Sequence, residues 1–199
     1  NGARIDVAGR DVVFASKRIG TSGGGIRIES ETSDITLNSG ATLDVSGANS
    51  GGSAGRIELI ATQGTLTLSP DAVLRASERS GDHGEIVVDA AQLVSRAADD
   101  NALTTLNELL QDDFQGRREL RVRTGDVALE LGQVMRAREV KLVADSGRLT
   151  VDGDIDASST DGGSIVLATG DALDVNGTLD AHATAGDGDG GRVELAAVD

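Results

Sequence analysis

Gly163-Ser164-Ile165-Val166-Leu167 is followed by Leu173-Asp174-Val175 and Gly177-Thr178-Leu179-Asp180-Ala181, and the cycle restarts at Gly191-Arg192-Val193-Glu194-Leu195. Within each run the apolar residues stand two apart, which places them on one face of a strand. Glycine, Asn and Asp separate the runs and supply the turns. Three such short strands cannot bury a face by themselves. Repeated at near-constant spacing, they can do so by stacking on their own copies.

The same pattern extends toward the N-terminus. The leading run recurs as Gly25-Ile26-Arg27-Ile28-Glu29, Gly55-Arg56-Ile57-Glu58-Leu59, Gly84-Glu85-Ile86-Val87-Val88 and Glu139-Val140-Lys141-Leu142-Val143. Ile26, Ile57 and Ile86 are 31 and 29 residues apart; Val140, Ile165 and Val193 are 25 and 28 apart. Second runs follow at Ile35-Thr36-Leu37, Leu66-Thr67-Leu68, Val127-Ala128-Leu129 and Leu149-Thr150-Val151. The expected fold is all-β: a right-handed parallel β-helix of about six coils with one inserted α-helix. At ~4.8 Å per coil it would be roughly 30 Å long. An antiparallel sandwich would instead need tight hairpins every ~8–12 residues.

Stacking predicts which side chains meet. One inward row is expected to hold Ile26, Ile57, Ile86, Leu120, Val140, Ile165 and Val193. A second should hold Ile28, Leu59, Val88, Val122, Leu142, Leu167 and Leu195. Outward, Arg27 should lie beside Glu58 and Arg56 beside Glu85, pairs worth about 0.2–1 kcal/mol each. Arg121 is expected beside Lys141, as two long cations splayed into water or as an anion site.

The strand pattern breaks between Ser95 and Gly116. Asp100-Asn101, then Ala102, Leu103, Leu106, Leu109, Leu110 and Phe114, have the spacing of a capped amphipathic helix of about 12–14 residues, with Gly116 as its stop. Asp112 and Asp113 would sit at the end of the helix where the dipole prefers cations, with Arg117 and Arg118 offsetting them. The expected organisation is one continuous solenoid: coils over 1–95, a helical insertion over 96–117 and coils over 118–199. The helix is expected to cover or plug the solenoid, or to dock a partner. Leu103, Leu106, Leu110, Phe114, Arg121, Arg123 and Lys141 are the candidate partner-binding residues. Residues 10–22 fit the register poorly. Gly2 to Gly9 matches Gly40 to Gly47 position by position, so the chain is expected to be a piece of a longer array.

Composition narrows function. The chain has 199 residues, Cys 0, Pro 1, Trp 0, Tyr 0, Phe 2 and a formal charge of −15. Without cysteine there is no disulfide scaffold, thiolate metal site or thiol nucleophile. No apolar run reaches the ~18 residues of a membrane span, and Asn1-Gly2 begins no basic, apolar leader. The acidic balance argues against nucleic acid as a partner. His83 and His182 read as loop residues with no partner at metal-ligand spacing. Gly23-Gly24-Gly25 lacks the Lys-Ser or Lys-Thr of a phosphate loop, and no Gly-x-Ser-x-Gly elbow occurs. Asp152-Gly153-Asp154 and Asp187-Gly188-Asp189 offer oxygen ligands but lack the tandem of a calcium β-roll. Stacked Asp44, Asp156 and Asp180 are the one arrangement that would suit glycan hydrolysis. Stacking follows from repetition alone, however, and only Phe14 and Phe114 could serve as aromatic sugar platforms. No catalytic residue, metal or cofactor is expected.

The units Gly-Gly-x-Ile-x-Leu, Leu-Thr-Val and Gly-x-Ile-Asp-Ala resemble the filamentous haemagglutinin-like exoproteins of two-partner secretion. So does Asn101 to Leu110 followed by Leu120-Arg121-Val122-Arg123-Thr124-Gly125-Asp126-Val127. The resemblance implies a long fibre on a Gram-negative surface, exported through an outer-membrane pore and acting in adhesion, aggregation or biofilm formation on host cells or exopolysaccharide. It implies a monomeric shaft segment without membrane insertion. The family's secretion domain carries Asn-Pro motifs, and Pro70 here follows Ser69, so that domain is not expected in this chain.

Overall fold

A computed structural model describes residues 2–97, 101–111 and 113–198. Asn1, Asp100, Asp112 and Asp199, and the sequence expectations that fall on them, lie outside the described residues. In chain order the strands are β1 (Arg4–Asp6), β2 (Asp11–Phe14), β3 (Lys17–Gly20), β4 (Gly25–Ser30), β5 (Ile35–Leu37) and β6 (Thr42–Asp44). Then come β7 (Arg56–Leu68), β8 (Val73–Arg75), β9 (Glu85–Ser95), the helix α1 (Ala102–Leu110), β10 (Arg117–Val122), β11 (Val127–Leu129) and β12 (Val134–Arg136). The last part holds β13 (Glu139–Ala144), β14 (Leu149–Val151), β15 (Asp154–Asp156), β16 (Ser164–Thr169), β17 (Leu173–Val175), β18 (Leu179–Asp180) and β19 (Arg192–Ala197).

These strands form a parallel β-solenoid of three walls. In the first wall seven strands stack without a break, in the order β4, β7, β9, β10, β13, β16, β19. The second wall is β5 with the distal halves of β7 and β9, then β11, β14 and β17. The third is β1, β6 and β8, then β12, β15 and β18. Alternation does what the sequence implied: β16 reads intermediate–buried three times over, and Ile57, Leu59, Leu142, Ile165 and Leu167 are all buried in one continuous core.

The helix explains why two walls are split and one is not. It takes the place of the third-wall strand between β8 and β12 and packs on β8, β9 and β11. A helix is ~10 Å across, about two strand spacings of ~4.8 Å, so it does not fit a single strand slot. The second and third walls therefore part around it, while β9 and β10 stay paired in the first wall.

The helix is nine residues long and ends at Leu110, shorter than the spacing predicted. Gln111, at φ 42°, turns the chain out of it well before Gly116. Residues 10–22 are an antiparallel hairpin, β2 paired with β3 across Ala15 and Ser16, both with positive φ. Val12, Val13, Phe14 and Ile19 on it are exposed.

The inward rows need one correction. Arg118, not Leu120, stands between Ile86 and Val140; Leu120 lies between Val88 and Leu142, and Val122 between Ala90 and Ala144. A slip of two residues leaves every side chain on the same face, so periodicity alone does not detect it. The same slip corrects the outer row. Arg121 lies beside Asp89 and Val143, while Lys141 lies beside Glu119.

Six of the seven first-wall strands are preceded by glycine: Gly24, Gly55, Gly84, Gly116, Gly163 and Gly191. The loop arriving from the third wall crosses close over this corner. A Cβ at Gly163 would stand 1.8 Å from the Ala157 carbonyl oxygen, and one at Gly191 1.7 Å from that of Ala181.

Gly163→Ala is expected to cost about 1–3 kcal/mol through this clash. Leu59→Ala in the core should cost about 2–5 kcal/mol. Leu131→Ala, at an exposed side chain, should stay within about 0.5 kcal/mol of the parent. Urea unfolding followed by far-ultraviolet circular dichroism checks all three.

Candidate binding surface at the third-wall corner

Leu103, Leu106, Leu110 and Phe114, the apolar candidates for partner contact, are packed into the solenoid at 0–3 % exposure. The face they form is filled by this chain's own core. Polar contacts latch the helix as well. Asn101 Oδ1 accepts from the Leu103 N–H at 2.8 Å as N-cap. Thr104 donates to Glu130 at 3.0 Å, and Ser95 shares a hydrogen bond with Thr105 at 2.7 Å. The Asn107 amide donates to Gln133 Oε1 and the Val134 carbonyl, while its Oδ1 accepts from Arg118 Nη1 at 2.9 Å.

Arg118 also donates to the carbonyls of Phe114, at 2.9 Å, and Gln111. It is a buried cation at a helix C-terminus, where the dipole and the orphan carbonyls both favour it. Of the two arginines expected at this end only Arg118 reaches it, while Arg117 pairs with Glu119 at 2.6 Å; the contact explains how an arginine occupies an inward row.

Arg121, Arg123 and Lys141 form no free cationic patch. Arg121 pairs with Asp145 at 2.9 Å, Arg123 with Asp89 at 2.8 Å and Lys141 with Glu119 at 2.8 Å. Along the first wall the expected pairs are present: Arg27 with Glu58, and Arg56 with Glu85 at 3.6 Å. Burial works against ionisation of Glu119, but Lys141 and Arg117 outweigh it and hold its carboxyl below the ordinary 4.5.

The repeated aspartates have a local task. Asp6, Asp44, Asp156 and Asp180 end third-wall strands, and each accepts the backbone N–H two residues on, from Ala8, Ser46, Ser158 and His182. These are Asx turns that start the corner. Asp6 pairs with Asp44 and Asp156 with Asp180 in register, but β8, α1 and β12 separate Asp44 from Asp156. The His182 backbone N–H and then its ring hold the Asp180 carboxyl below its usual range. That opposes a proton-donating role, which requires a raised value. Asp152 and Asp154 are likewise engaged, by Asn176 and the Thr178 N–H. Among the described residues no cluster of three or more His, Asp or Glu is placed to hold a metal ion. No helix is long and apolar enough to cross a membrane.

The surface feature that sequence reasoning missed lies along the same corner. Between β12 and β13 the chain turns in two residues, Ala137 and Arg138, whereas residues 157–163 and 181–191 make the next two corners. The short corner leaves a notch of about 460 Å³. Its floor is Arg136 to Arg138, with His83 and Gln115 on one side and Ser158 to Gly162 with Thr184 on the other. Because no loop crosses there, Arg138 occupies the position that is glycine before the other first-wall strands. Arg136 leans on Asp156 at 3.7 Å. The signal that could have found the notch was the missing glycine and the shortened repeat at Val134 to Glu139.

Comparison with protein-family models, curated proteins and solved structures finds no match.

Arg118→Met should remove the donor to the Gln111 and Phe114 carbonyls and to Asn107 Oδ1 and cost about 2–4 kcal/mol. Hydrogen exchange over residues 101–111 should accelerate far more than over β13 and β16. For Glu119 the lowered folded value means that stability is present above about pH 4.5 and lost as pH falls through that lower value. Glu119→Gln should therefore flatten this acid limb in urea midpoints measured across pH 2–6.

Proposed function

We propose that this chain is a structural and adhesive shaft segment of a large secreted bacterial surface exoprotein, acting in cell adhesion, aggregation or biofilm formation. The observation that carries this reading is the unbroken first wall. Its seven in-register strands make a stiff element whose length is set by coil number, about 30 Å here at ~4.8 Å per coil. A solenoid transmits position along its axis because each coil touches only its neighbours. Its outer face carries paired charges, Arg27 with Glu58, Arg56 with Glu85 and Lys141 with Glu119, beside half-buried Ile60, Val87, Val143 and Val166. We place it at a Gram-negative cell surface as a monomeric fibre, reached through an outer-membrane secretion pore, with host surface or exopolysaccharide as the partner. This placement follows the resemblance to the filamentous haemagglutinin-like family.

We further propose that it binds glycan without cleaving it. What supports the absence of cleavage is the use of Asp6, Asp44, Asp156 and Asp180 as corner turns, each bonded to the backbone N–H two residues on.

The test is co-sedimentation of the 199-residue chain with host cells and with bacterial exopolysaccharide, with reducing ends assayed in the same tubes. Binding without new reducing ends is the expected result. New sugar ends that disappear in Asp156→Asn or Asp180→Asn would replace the shaft reading with a glycan-cleaving one.

A further inference from the structure

The charge balance makes the unpaired cations informative. With Lys+Arg 18 against Asp+Glu 33, a carboxylate is within reach of most guanidinium groups, and most are paired. Among the described residues the Lys and Arg side chains with no hydrogen-bond or ion-pair partner are Arg10, Lys17, Arg75, Arg79 and Arg138. Arg138 sits in the notch. Arg75 and Arg79 line a second groove of about 670 Å³, over small residues such as Gly9, Ser46, Gly47 and Ser77 and beside Asp11, Asp44 and Glu78; those three carboxylates are engaged by the Ser50 N–H, the Ser46 N–H and His83.

The two grooves follow one corner. Backbone bonds step along it from Gly9 N–H to the Ser46 carbonyl, from Gly47 to Ser77, and later from Arg138 to Gln115 and Ser159 to His182. The loop after α1 joins the two stretches, with Asp113 accepting from Ser77 on one side and Gln115 bonded to Arg138 on the other. The two grooves thus lie on one corner, on either side of the loop after α1, and each holds an unpaired guanidinium among small, hydroxyl-bearing and acidic residues.

We propose that this corner binds a linear uronate-bearing polysaccharide laid along the axis, with Arg138 as the principal anchor. A guanidinium takes a carboxylate through two parallel N–H···O bonds, and the flanking Ser159, Thr160 and Asp161 suit sugar hydroxyls. A net charge of −15 disfavours a double-helical nucleic acid, with one phosphate per ~1.7 Å of axis, more strongly than a uronate chain with one charge per sugar at most. The inference rests on the adhesive reading and gives it a surface and a ligand class.

The experiment measures binding of the full 199-residue chain to alginate and to hyaluronan, the two arms separating a bacterial-type from a host-type source, with neutral dextran as control. The expected result is saturable binding to at least one uronate polymer, weakened about tenfold or more in Arg138→Gly. The six other first-wall strands are each preceded by glycine, so that variant should fold, and circular dichroism checks it. Arg138→Lys should fall between the two, and Arg192→Ala, an equal charge change outside both grooves, should bind like the parent. Equal affinity for dextran, or uronate binding that Arg138→Gly leaves intact, overturns the proposal. If neither uronate binds but the chain still sediments with cells, the groove assignment fails and the adhesive reading stands. If nothing binds at all, both fail.

Discussion

Everything in this solenoid depends on a parallel ladder that no single coil can form. A first-wall strand carries three inward side chains and two edges of unpaired N–H and C=O groups; both needs are met only by the strands above and below. That requirement ties every coil to the next in register, and it holds even where the rest of the coil changes. Between β9 and β10 the third-wall strand is replaced by a helix, the second wall loses its pairing, and an arginine enters an inward row. The first wall passes through unbroken.

The helix is accommodated by chemistry as well as by space. Its apolar side faces the core, and the carbonyls of its C-cap Gln111 and of Phe114 just beyond receive the Arg118 guanidinium. Asn107 then ties that guanidinium to the start of β12. A residue that would be an error in a pure strand repeat is thus the group that seals the junction of two architectures. Buried polar networks of this sort are stable only when each member has its partners, and the partners here come from α1, β10, β12 and the loops beside them.

Corner chemistry decides what the surface can do. The acidic character of the chain suggests cation binding at first sight, yet many carboxylates are already used on the protein's own N–H groups, closing turns or bridging to the next coil. What distinguishes one part of the corner from another is loop length. At Gly84, Gly163 and Gly191 a long loop crosses the corner and leaves no room for a Cβ; the short corner at Ala137 and Arg138 leaves a notch and lets a full side chain stand in it.

Much of this was legible in the residues. The period-two runs, their recurrence and the Gly and Asp punctuation sufficed for the parallel solenoid, its inward rows in most coils and the Arg27–Glu58 and Arg56–Glu85 pairs. A helix between Ser95 and Gly116 was legible too, because its apolar spacing breaks from the strand period. The register of β10 was not, since Arg118, Leu120 and Val122 all point the same way and only contact with α1 selects among them. Nor was the fate of Leu103, Leu106, Leu110 and Phe114, because an amphipathic face reads alike whether a partner or the chain's own core covers it. The candidate groove was hidden for a related reason: its shape comes from loops far apart in sequence, His83, Gln115 and Ser159, which only stacking brings to one corner. Sequence by itself determined the repeat and the faces, because these are local periodicities. Tertiary structure decided the register at the helix, the pairing of the charges and the concave corner, because each depends on which coil comes to lie beside which.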